Sequence, residues 1–422
     1  MMIVHMPTDL AAVLNAYAEL TVNVGLNLRQ GQRLLIIGPI ANGGVSLDAA
    51  PLVREVAASA YRAGAELVEA CWGDESLQLV RFHHAPRSSF NQFSRWLPNA
   101  LREHVEQGGA MLSIYANDPD HLKNEATDLI TALQQTTAQS VRPFRELIAR
   151  NETNWTVVGC ATPAWAARVF PDRAPDDRLA ALWQSIVALC RLDQTDPVAA
   201  WRSHLDGLAV RCDLLNGKSY RALKYRGPGT DLTLGLPQGH IWMSGQSTSR
   251  NGIRFAPNLP TEEVFTIADR ADVNGTVRSS KPLSYGGTLI EDFTLRFENG
   301  KVVDLHAARG QHVLKTLVET DDGAGRLGEV ALVPHGSPIS QTGLLFYNTL
   351  FDENAASHVA LGSAYRFTLE RGEAMSHEEF EQAGGNRSVV HVDFMIGSAE
   401  LDVDGVLADG TAEPLMRAGE WI

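Results

Sequence analysis

The spacing of hydrophobic and polar residues divides the chain into two regions. From residue 8 to about 170, apolar runs alternate with stretches of helical period, starting at Leu10–Leu28 and Arg33–Gly38. The pattern predicts strands at 34–37, 67–72, 111–115 and 155–159, with helices around 51–64, 92–107, 119–134 and 142–150. Because short apolar strands separated by helices form parallel sheets covered on both faces, we expect an α/β N-terminal domain with a mostly parallel sheet.

Two further helices are predicted within residues 174–215, and the pattern then becomes rich in strands and turns. Residues 288–297 alternate apolar and polar positions, and the turn Glu298–Lys301 leads into a strand at 302–305, as in a hairpin. We therefore expect an α/β scaffold domain at 1–215 and an α+β domain at 216–422.

Charge argues against two classes of partner. The chain has 422 residues, of which 44% are hydrophobic, enough for two cores, and a formal net charge of −14. No run of lysine or arginine offers a phosphate-binding stripe, so nucleic acid and anionic membranes are not expected as partners.

Cysteine usage and hydropathy indicate the compartment. The four cysteines, Cys71, Cys160, Cys190 and Cys212, form no C-x-x-C pair and lie mostly in apolar surroundings, as expected for reduced thiols in a core. The N-terminus lacks the pattern of a secretory signal, and no apolar run reaches the ~18 residues of a membrane span. These features predict a soluble, cytoplasmic protein.

The N-terminal half offers little chemistry. The glycines after its first strand, within 38–44, lack the G-x-G-x-x-G spacing that brings a pyrophosphate to a helix, and no P-loop is present. We expect no cofactor-binding residues here. The main rival interpretation of the whole chain is nevertheless a nucleotide-dependent enzyme built on this half.

The C-terminal half carries metal-competent side chains, beginning with His391 and Asp393. They alternate with apolar residues in a β-branched run, and a period of two places both on one face of a strand. An imidazole and a carboxylate so placed suit zinc, cobalt or manganese. The structural alternative is a buried ion pair.

Three more clusters are present. His358 and Tyr365 are seven residues apart, which on a helix places them on one face, where packing is the usual role of such residues. Glu329 enters an apolar strand and therefore needs a charged partner. Glu262 and Glu263 follow two prolines and precede apolar residues, where surface charge is the default explanation. Together the carboxylates, histidines and tyrosine match the needs of a pair of divalent ions, and they favour a metallohydrolase.

Four of these segments also resemble a known family. N-L-P-T-E-E-V-F-T, G-R-L-G-E-V-A-L-V, L-F-D-E-N-A-A-S-H-V-A-L-G-x-A-Y and S-V-V-H-V-D-F-M-I-G are similar to motifs of the thermophilic metallo-aminopeptidases, aminopeptidase T, aminopeptidase S and their relatives. The resemblance extends over essentially the whole chain, including residues 161–171 and 225–232.

The resemblance implies a function and a set of ligands. Residues 216–422 become the metal-binding catalytic domain of an aminopeptidase, which hydrolyses N-terminal residues from short peptides with a two-metal-activated water. The implied cofactors are two divalent ions, zinc or cobalt first and manganese or magnesium as alternatives, in a cytoplasmic homodimer. The implied metal ligands are Glu263, Glu329, His358, Tyr365, His391 and Asp393.

Two roles are less determined by the motifs. Glu262 is the catalytic candidate, a proton shuttle by analogy with aminopeptidases in which the first of two adjacent glutamates is the base; this requires that the chain bend there. Tyr365 is either a ligand or a donor to the oxyanion. A non-catalytic binding protein that keeps the fold is a third interpretation of the chain.

Overall fold

The computed structural model describes residues 9–285 and 288–422, so most of the N-terminal stretch judged to lack a signal lies outside the described residues. The strands are β1 Leu34–Ile37, β2 Val45–Ser46, β3 Val68–Ala70, β4 Trp72–Gly73, β5 Ala110–Tyr115, β6 Trp155–Gly159, β7 Ala222–Gly227, β8 Thr230–Gly235, β9 Met243–Ser244, β10 Ser247–Thr248, β11 Arg254–Phe255, β12 Asn258–Leu259, β13 Val264–Ile267, β14 Val273–Arg278, β15 Leu283–Tyr285, β16 Thr288–Glu298, β17 Lys301–Arg309, β18 Leu327–Leu332, β19 His358–Gly362, β20 His391–Met395, β21 Asp402–Val406, β22 Ala412–Arg417 and β23 Glu420–Trp421. The α-helices are α1 Leu10–Leu20, α2 Ala50–Arg62, α3 Glu75–His84, α4 Trp96–Glu106, α5 Thr127–Ala149, α6 Pro163–Val169, α7 Pro175–Leu189, α8 Pro197–Lys218, α9 Gln311–Val318, α10 Pro338–Thr342, α11 Thr349–Asp352 and α12 His377–Gln382. A π-helical turn at Thr21–Leu26 follows α1, and short 3₁₀ turns include Glu353–Ala355 and Arg366–Thr368.

The chain divides into two compact units. The first comprises the chain up to His204 together with Gln246–Thr261 and Leu345–Leu350. The second comprises Leu205–Gly245, Glu262–Leu344 and Phe351–Ile422. The functional division of the chain at 215/216 stays a prediction.

The first unit contains the parallel sheet that the sequence predicts. Its strand order is β12-β6-β5-β1-β3, and each neighbouring pair is parallel. The predicted α/β N-terminal fold with a mostly parallel sheet is therefore confirmed, and β12, from a distant part of the sequence, completes the edge.

Two local predictions in this unit were wrong, and one helix was not predicted. The predicted strand 67–72 is broken, because β3 joins the parallel sheet whereas β4 pairs with β2. The helices predicted at 119–134 and 142–150 are one helix, α5, whose buried positions keep the helical period past Pro143. Helix α3 was missed, since it buries only Phe82 and its apolar residues Leu77 and Val80 are exposed.

The core of the first unit explains the residues after β1. Ile37 on β1 and Met111 on β5 pack against apolar residues of α4 and α5 in one buried cluster. A Cβ at Gly38 would lie 2.3 Å from the carbonyl oxygen of Gly44, so this glycine is required by close backbone packing.

All four cysteines are free, and Cys160, Cys190 and Cys212 are buried.

The second unit is built on antiparallel sheets. A nine-stranded sheet has the order β15-β16-β14-β8-β7-β21-β22-β23, with β17 paired to β16 in the predicted hairpin. A five-stranded sheet has the order β20-β19-β18-β13-β9 and carries most of the predicted site residues. The predicted α+β C-terminal part is confirmed. Among the described residues, no helix is long and apolar enough to cross a membrane.

Candidate metal centre

The register of the five-stranded sheet brings the donors together. Ala360 on β19 pairs with Glu329 on β18 and with Asp393 on β20. Paired residues of neighbouring strands point to the same face, so both carboxylates flank the small Ala360. His358 and His391 lie two residues from Ala360 and Asp393 on their own strands and therefore share this face.

Glu263 enters the same site from the residue before β13. Ile267 on this strand pairs with Glu329, which places the face of β13 that carries Ile267 and Phe265 beside the donors. Glu263 itself is 8% exposed. Surface charge is the default explanation for such a glutamate in the sequence, and the burial of Glu263 excludes it.

The distances define two donor groups that share one carboxylate. His358 Nε2 lies 3.3 Å from Glu263 Oε2 and 3.9 Å from Glu329 Oε1. His391 Nε2 lies 3.6 Å from Glu329 Oε2 and 3.5 Å from Asp393 Oδ1. In each of the two groups the donor atoms all lie within 4.8 Å of one another. Glu329 belongs to both groups, as expected of a bridging carboxylate.

Hydrogen bonds set the orientation of both imidazoles. Nδ1 of His358 lies 3.1 Å from the carbonyl oxygen of Ala356, and Nδ1 of His391 lies 2.7 Å from that of Ser363. A carbonyl oxygen only accepts, so each Nδ1 carries the proton and donates it. In the neutral ring this leaves the Nε2 lone pair directed at the carboxylates, which is the usual arrangement of a metal-binding histidine.

Three carboxylate oxygens at the centre lack a hydrogen-bond donor. Glu263 Oε2, Glu329 Oε2 and Asp393 Oδ1 are buried and make no hydrogen bond within the described residues. A buried carboxylate oxygen without a donor is costly unless a cation compensates it. Nitrogen and oxygen donors in this number and spacing therefore fit divalent cations.

The electrostatics of the centre show an excess of negative charge. Burial raises the pKa of Glu263 to about 7, with Asp393 adding to the rise, and it raises the pKa of Glu329 well above its usual range. Although burial lowers it, the charges of Asp393 and Glu329 raise the pKa of His391 to about 10. Without a cation, the centre is expected to retain protons to offset its carboxylates.

The structure does not place His358 and Tyr365 on an α-helix. On a helix, His358 and Tyr365 would share one face, but His358 begins strand β19 and Tyr365 precedes the turn at 366–368, so the helical spacing does not apply. The apolar stretch Val359–Leu361 is buried on both faces, which favours a strand inside a sheet. The ring of Tyr365 still reaches the site, with its centroid 4.8 Å from that of His391.

Glu262 lies beside the centre in an irregular part of the chain. It is 4% exposed, and its backbone N–H donates to the Asn354 side chain at 2.7 Å. Strand β13 begins only at Val264, so the strict alternation of a strand does not apply to the two glutamates. The bend that the proposed role of Glu262 requires is therefore compatible with the chain here, and the role itself stays a prediction.

Glu353 is a further acidic residue of the centre that was not predicted from the sequence. It lies in the 3₁₀ turn after α11, and burial together with the charges of Glu263, Asp393 and Glu329 raises its pKa well above the usual range. The available signal was the acidic pair Asp352-Glu353 directly before the apolar segment that leads to His358. We had treated it only as a polar approach to the histidine.

Known proteins resemble the chain over nearly its whole length. Aminopeptidase 2 of Geobacillus stearothermophilus is 49% identical over 408 residues, covering 97% of each chain. Aminopeptidase T of Thermus thermophilus is 44% identical over 409 residues, covering 97% of this chain and 98% of that one. The solved structure of wild-type AmpT from Thermus thermophilus matches with a TM-score of 0.91 and 43% identity, over 98% of this chain and 100% of that chain.

A family match completes the comparison. The family model described as thermophilic metalloprotease (M29) matches residues 11–421. The resemblance seen in the four motifs is thereby confirmed, and the chain belongs to the thermophilic metalloprotease family M29.

Proposed function

We propose that the protein is a two-metal aminopeptidase that hydrolyses the first peptide bond of short peptides. The observation that carries the proposal is the pair of donor groups joined by Glu329, with three buried carboxylate oxygens that lack donors. The predicted enzyme class, a metallo-aminopeptidase, is confirmed by the metalloprotease family and by the relatives named as aminopeptidases. The number of ions, the ligands and the mechanism belong to the proposal.

The proposed ligands follow the two groups. Glu263, Glu329 and His358 would hold one ion, and Glu329, His391 and Asp393 would hold the other. Zinc and cobalt suit this mixture of imidazole and carboxylate donors, with manganese or magnesium as alternatives. When bound, the two ions would acidify a water molecule for attack and polarise the scissile carbonyl.

Charge neutrality supports two ions over one. Glu263, Glu329, Glu353 and Asp393 would contribute four negative charges when ionised, and Glu263, Glu329 and Asp393 lie in the two donor groups with the imidazoles. Two divalent cations would balance four carboxylates and leave both histidines neutral. This agreement supports the stoichiometry that the resemblance implies.

The chain's own residues would perform the proton transfers. Glu262 is our proposed proton shuttle, and the alternative is Glu353, whose pKa is raised by burial and by the charges of Glu263, Asp393 and Glu329. Although the Tyr365 residue as a whole is 41% exposed, desolvation of its phenol group and the charges of Glu329 and Asp393 raise the pKa of that group, which keeps its proton available. This supports a role as hydrogen-bond donor to the developing oxyanion; to act as the ligand that the resemblance implies, the phenol would have to lose that proton when metal binds.

The resemblance also implies the substrates, the cellular location and the oligomeric state. We propose short peptides with a free N-terminus as substrates, a cytoplasmic location and a homodimeric state.

Chelation and blocked substrates test the proposal. Removal of metal should abolish the release of N-terminal residues, and addition of zinc, cobalt or manganese should restore it. The reason is that the proposed nucleophile is a metal-activated water, and none of the site residues named above would replace it. Acetylation of the substrate's α-amine should also eliminate cleavage, since the amine is the expected anchor. Full activity in verified metal-free protein would contradict metal catalysis, and efficient cleavage of the acetylated peptide would contradict an aminopeptidase.

A further inference from the structure

Three aromatic side chains form a continuous group beside the candidate metal centre. The rings of Tyr365 and Phe367 are stacked, with centroids 5.2 Å apart and planes at 18°. Phe265 meets both rings edge to face, at 6.5 Å from Tyr365 and 6.4 Å from Phe367. We call Phe265, Tyr365 and Phe367 the aromatic wall.

The aromatic wall adjoins the metal-binding side chains directly. The ring of Tyr365 lies 4.8 Å from that of His391, centroid to centroid. Phe265 pairs with Ala331, which in turn pairs with His358, so Phe265 is on the same face of the sheet as both histidines. The wall therefore adjoins the centre through Tyr365, which contacts His391, and through Phe265 on strand β13.

The rings of the aromatic wall are more exposed to solvent than the metal-binding side chains are. Tyr365 is 41% exposed, and Phe265 and Phe367 are half-buried, whereas Glu263, Glu329 and His358 are buried. Three partly exposed rings side by side retain apolar surface that a ligand could cover. Such a surface next to a few polar groups is typical of small-molecule sites.

Substrate geometry indicates what this surface would contact. In an aminopeptidase the α-amine and the scissile carbonyl of the first residue lie at the metal centre, and both are attached to the same Cα. The side chain leaves from that Cα, so it must contact the immediate surroundings of the donors. Of the residues described above, the aromatic wall provides the apolar part of those surroundings.

We infer that Phe265, Tyr365 and Phe367 form the subsite for the side chain of the substrate's first residue, and that they select large uncharged apolar or aromatic residues. This inference rests on the proposed aminopeptidase function. The stacked pair and Phe265 leave partly exposed apolar ring surface beside the donors. An uncharged apolar or aromatic side chain is stabilised by covering such surface, whereas a charged side chain would lose its hydration there.

The test compares substrates within each variant. Phe367→Ala and Phe265→Ala, loaded with metal, should lose about tenfold or more in kcat/KM for phenylalanyl- and leucyl-p-nitroanilide, the scale expected for lost hydrophobic pocket contacts. Alanyl-p-nitroanilide should change by less than about threefold, because its methyl group barely reaches the wall. Phe367→Leu should recover much of the leucyl activity, and Trp96→Ala, at an exposed tryptophan in the other unit, is the matched control.

Binding provides a readout that does not depend on turnover. L-phenylalaninol should raise the melting temperature of the metal-loaded wild type more than L-alaninol does, and Phe367→Ala should lose the difference. Metal content, measured in every variant, should remain that of the wild type.

The outcomes separate the subsite from the function. A uniform loss over phenylalanyl, leucyl, alanyl and lysyl substrates, or no change in selectivity, would overturn the subsite, as would a loss greatest for the lysyl substrate. If the wild type cleaves none of these substrates yet distinguishes the two amino alcohols, the aromatic wall binds apolar side chains but the proposed aminopeptidase function fails, and with it the role of the wall as a substrate subsite. If it cleaves them but does not distinguish the alcohols, the subsite fails alone.

Discussion

At the scale of single residues, the two histidines show how neighbours prepare a side chain for metal. Each Nδ1 donates to a backbone carbonyl, Ala356 for one ring and Ser363 for the other, so the backbone fixes both tautomers. A backbone carbonyl cannot be removed by side-chain substitution, which makes this orientation robust to mutation nearby. The carboxylates then meet two Nε2 atoms in a fixed position.

Substitution should distinguish the roles of the adjacent glutamates Glu262 and Glu263. Glu263→Gln should lose both bound metal and activity, because an amide oxygen is a neutral and weaker ligand. Glu262→Gln should keep its metal while activity falls by about 10² to 10⁴, the range for a missing general acid or base. Metal content by mass spectrometry, measured with activity on the same sample, distinguishes an absent ion from an absent proton shuttle.

Glu353→Gln is the matched comparison for this pair. If Glu262→Gln retains a near-normal rate and Glu353→Gln shows the large loss with metal retained, the proton shuttle is Glu353. Loss of metal from Glu262→Gln with retention in Glu263→Gln would reverse our assignment within the pair.

At the scale of elements, Ala360 on strand β19 lies beneath the donors without being a proposed ligand, and we call this position the floor of the site. Ala360 lies between Glu329 and Asp393 in the sheet, so its methyl group determines how much space remains between the two carboxylates. Gly362 continues the strand at φ +104°, and a Cβ there would lie 2.1 Å from the carbonyl oxygen of Val390. Small residues on β19 thus permit close packing under the donors.

Enlarging this floor should displace metal without unfolding the protein. Ala360→Leu should weaken metal binding by about tenfold or more, as substitutions around metal ligands commonly do. The cost in folding free energy should be about 1–3 kcal/mol, typical of overpacking. Ala360→Gly, which keeps the space open, is the control and should retain metal. Metal titration measures the affinity, and circular dichroism verifies that each variant is folded. Metal binding by Ala360→Leu as tight as that of the wild type would contradict this prediction.

The bulge in β18 is equally important for the site. Leu327 pairs with Leu361 and Glu329 with Ala360, although Leu361 and Ala360 are adjacent and point to opposite faces. A regular strand would place residues 327 and 329 on the same face. The bulge at Gly328 therefore allows Leu327 to enter the core while Glu329 faces the donors.

At the scale of the whole molecule, metal binding should couple to stability and pH. The raised pKa values of Glu263 and His391 mean that the metal-free folded protein holds protons that the unfolded chain would release. Stability of the metal-free form should therefore fall as pH rises from about 4.5 through 7 and beyond. Metal replaces these protons, so the rise in melting temperature on adding metal should be larger at pH 8 than at pH 6.

Calorimetry with and without metal across this pH range measures the effect. For each proton displaced, apparent metal affinity should fall about tenfold per pH unit below 7. A hundredfold excess of metal over its Kd should add about 2.7 kcal/mol to the free energy of unfolding. In the metal-free protein, Glu263→Gln should make the free energy of unfolding less dependent on pH between about 4.5 and 7. For the wild type, a metal-induced shift in melting temperature that is the same at pH 6 and pH 8 would contradict the coupling.

The sequence determined those features of the fold and the site that depend on residues close together in the chain. Strands β1 and β6 were predicted with their observed bounds, since an apolar run or a local alternation is specified by adjacent residues. The same holds for His391 and Asp393, whose shared face follows from the period of two. The motifs alone also identified the family and the set of ligand candidates.

Tertiary structure decided what depends on distant parts of the chain. The joining of β12 to β6, the bulge that turns Glu329 to the donors, the strand at His358 in place of a helix, and the position of Glu353 all arise from contacts between segments far apart in sequence. Local periodicity is insensitive to such contacts, because sheet register and burial are set by packing between elements. The sequence by itself thus specified which side chains could bind metal, and the pairing of four strands decided that they meet, because only that register places their donor atoms within one buried space.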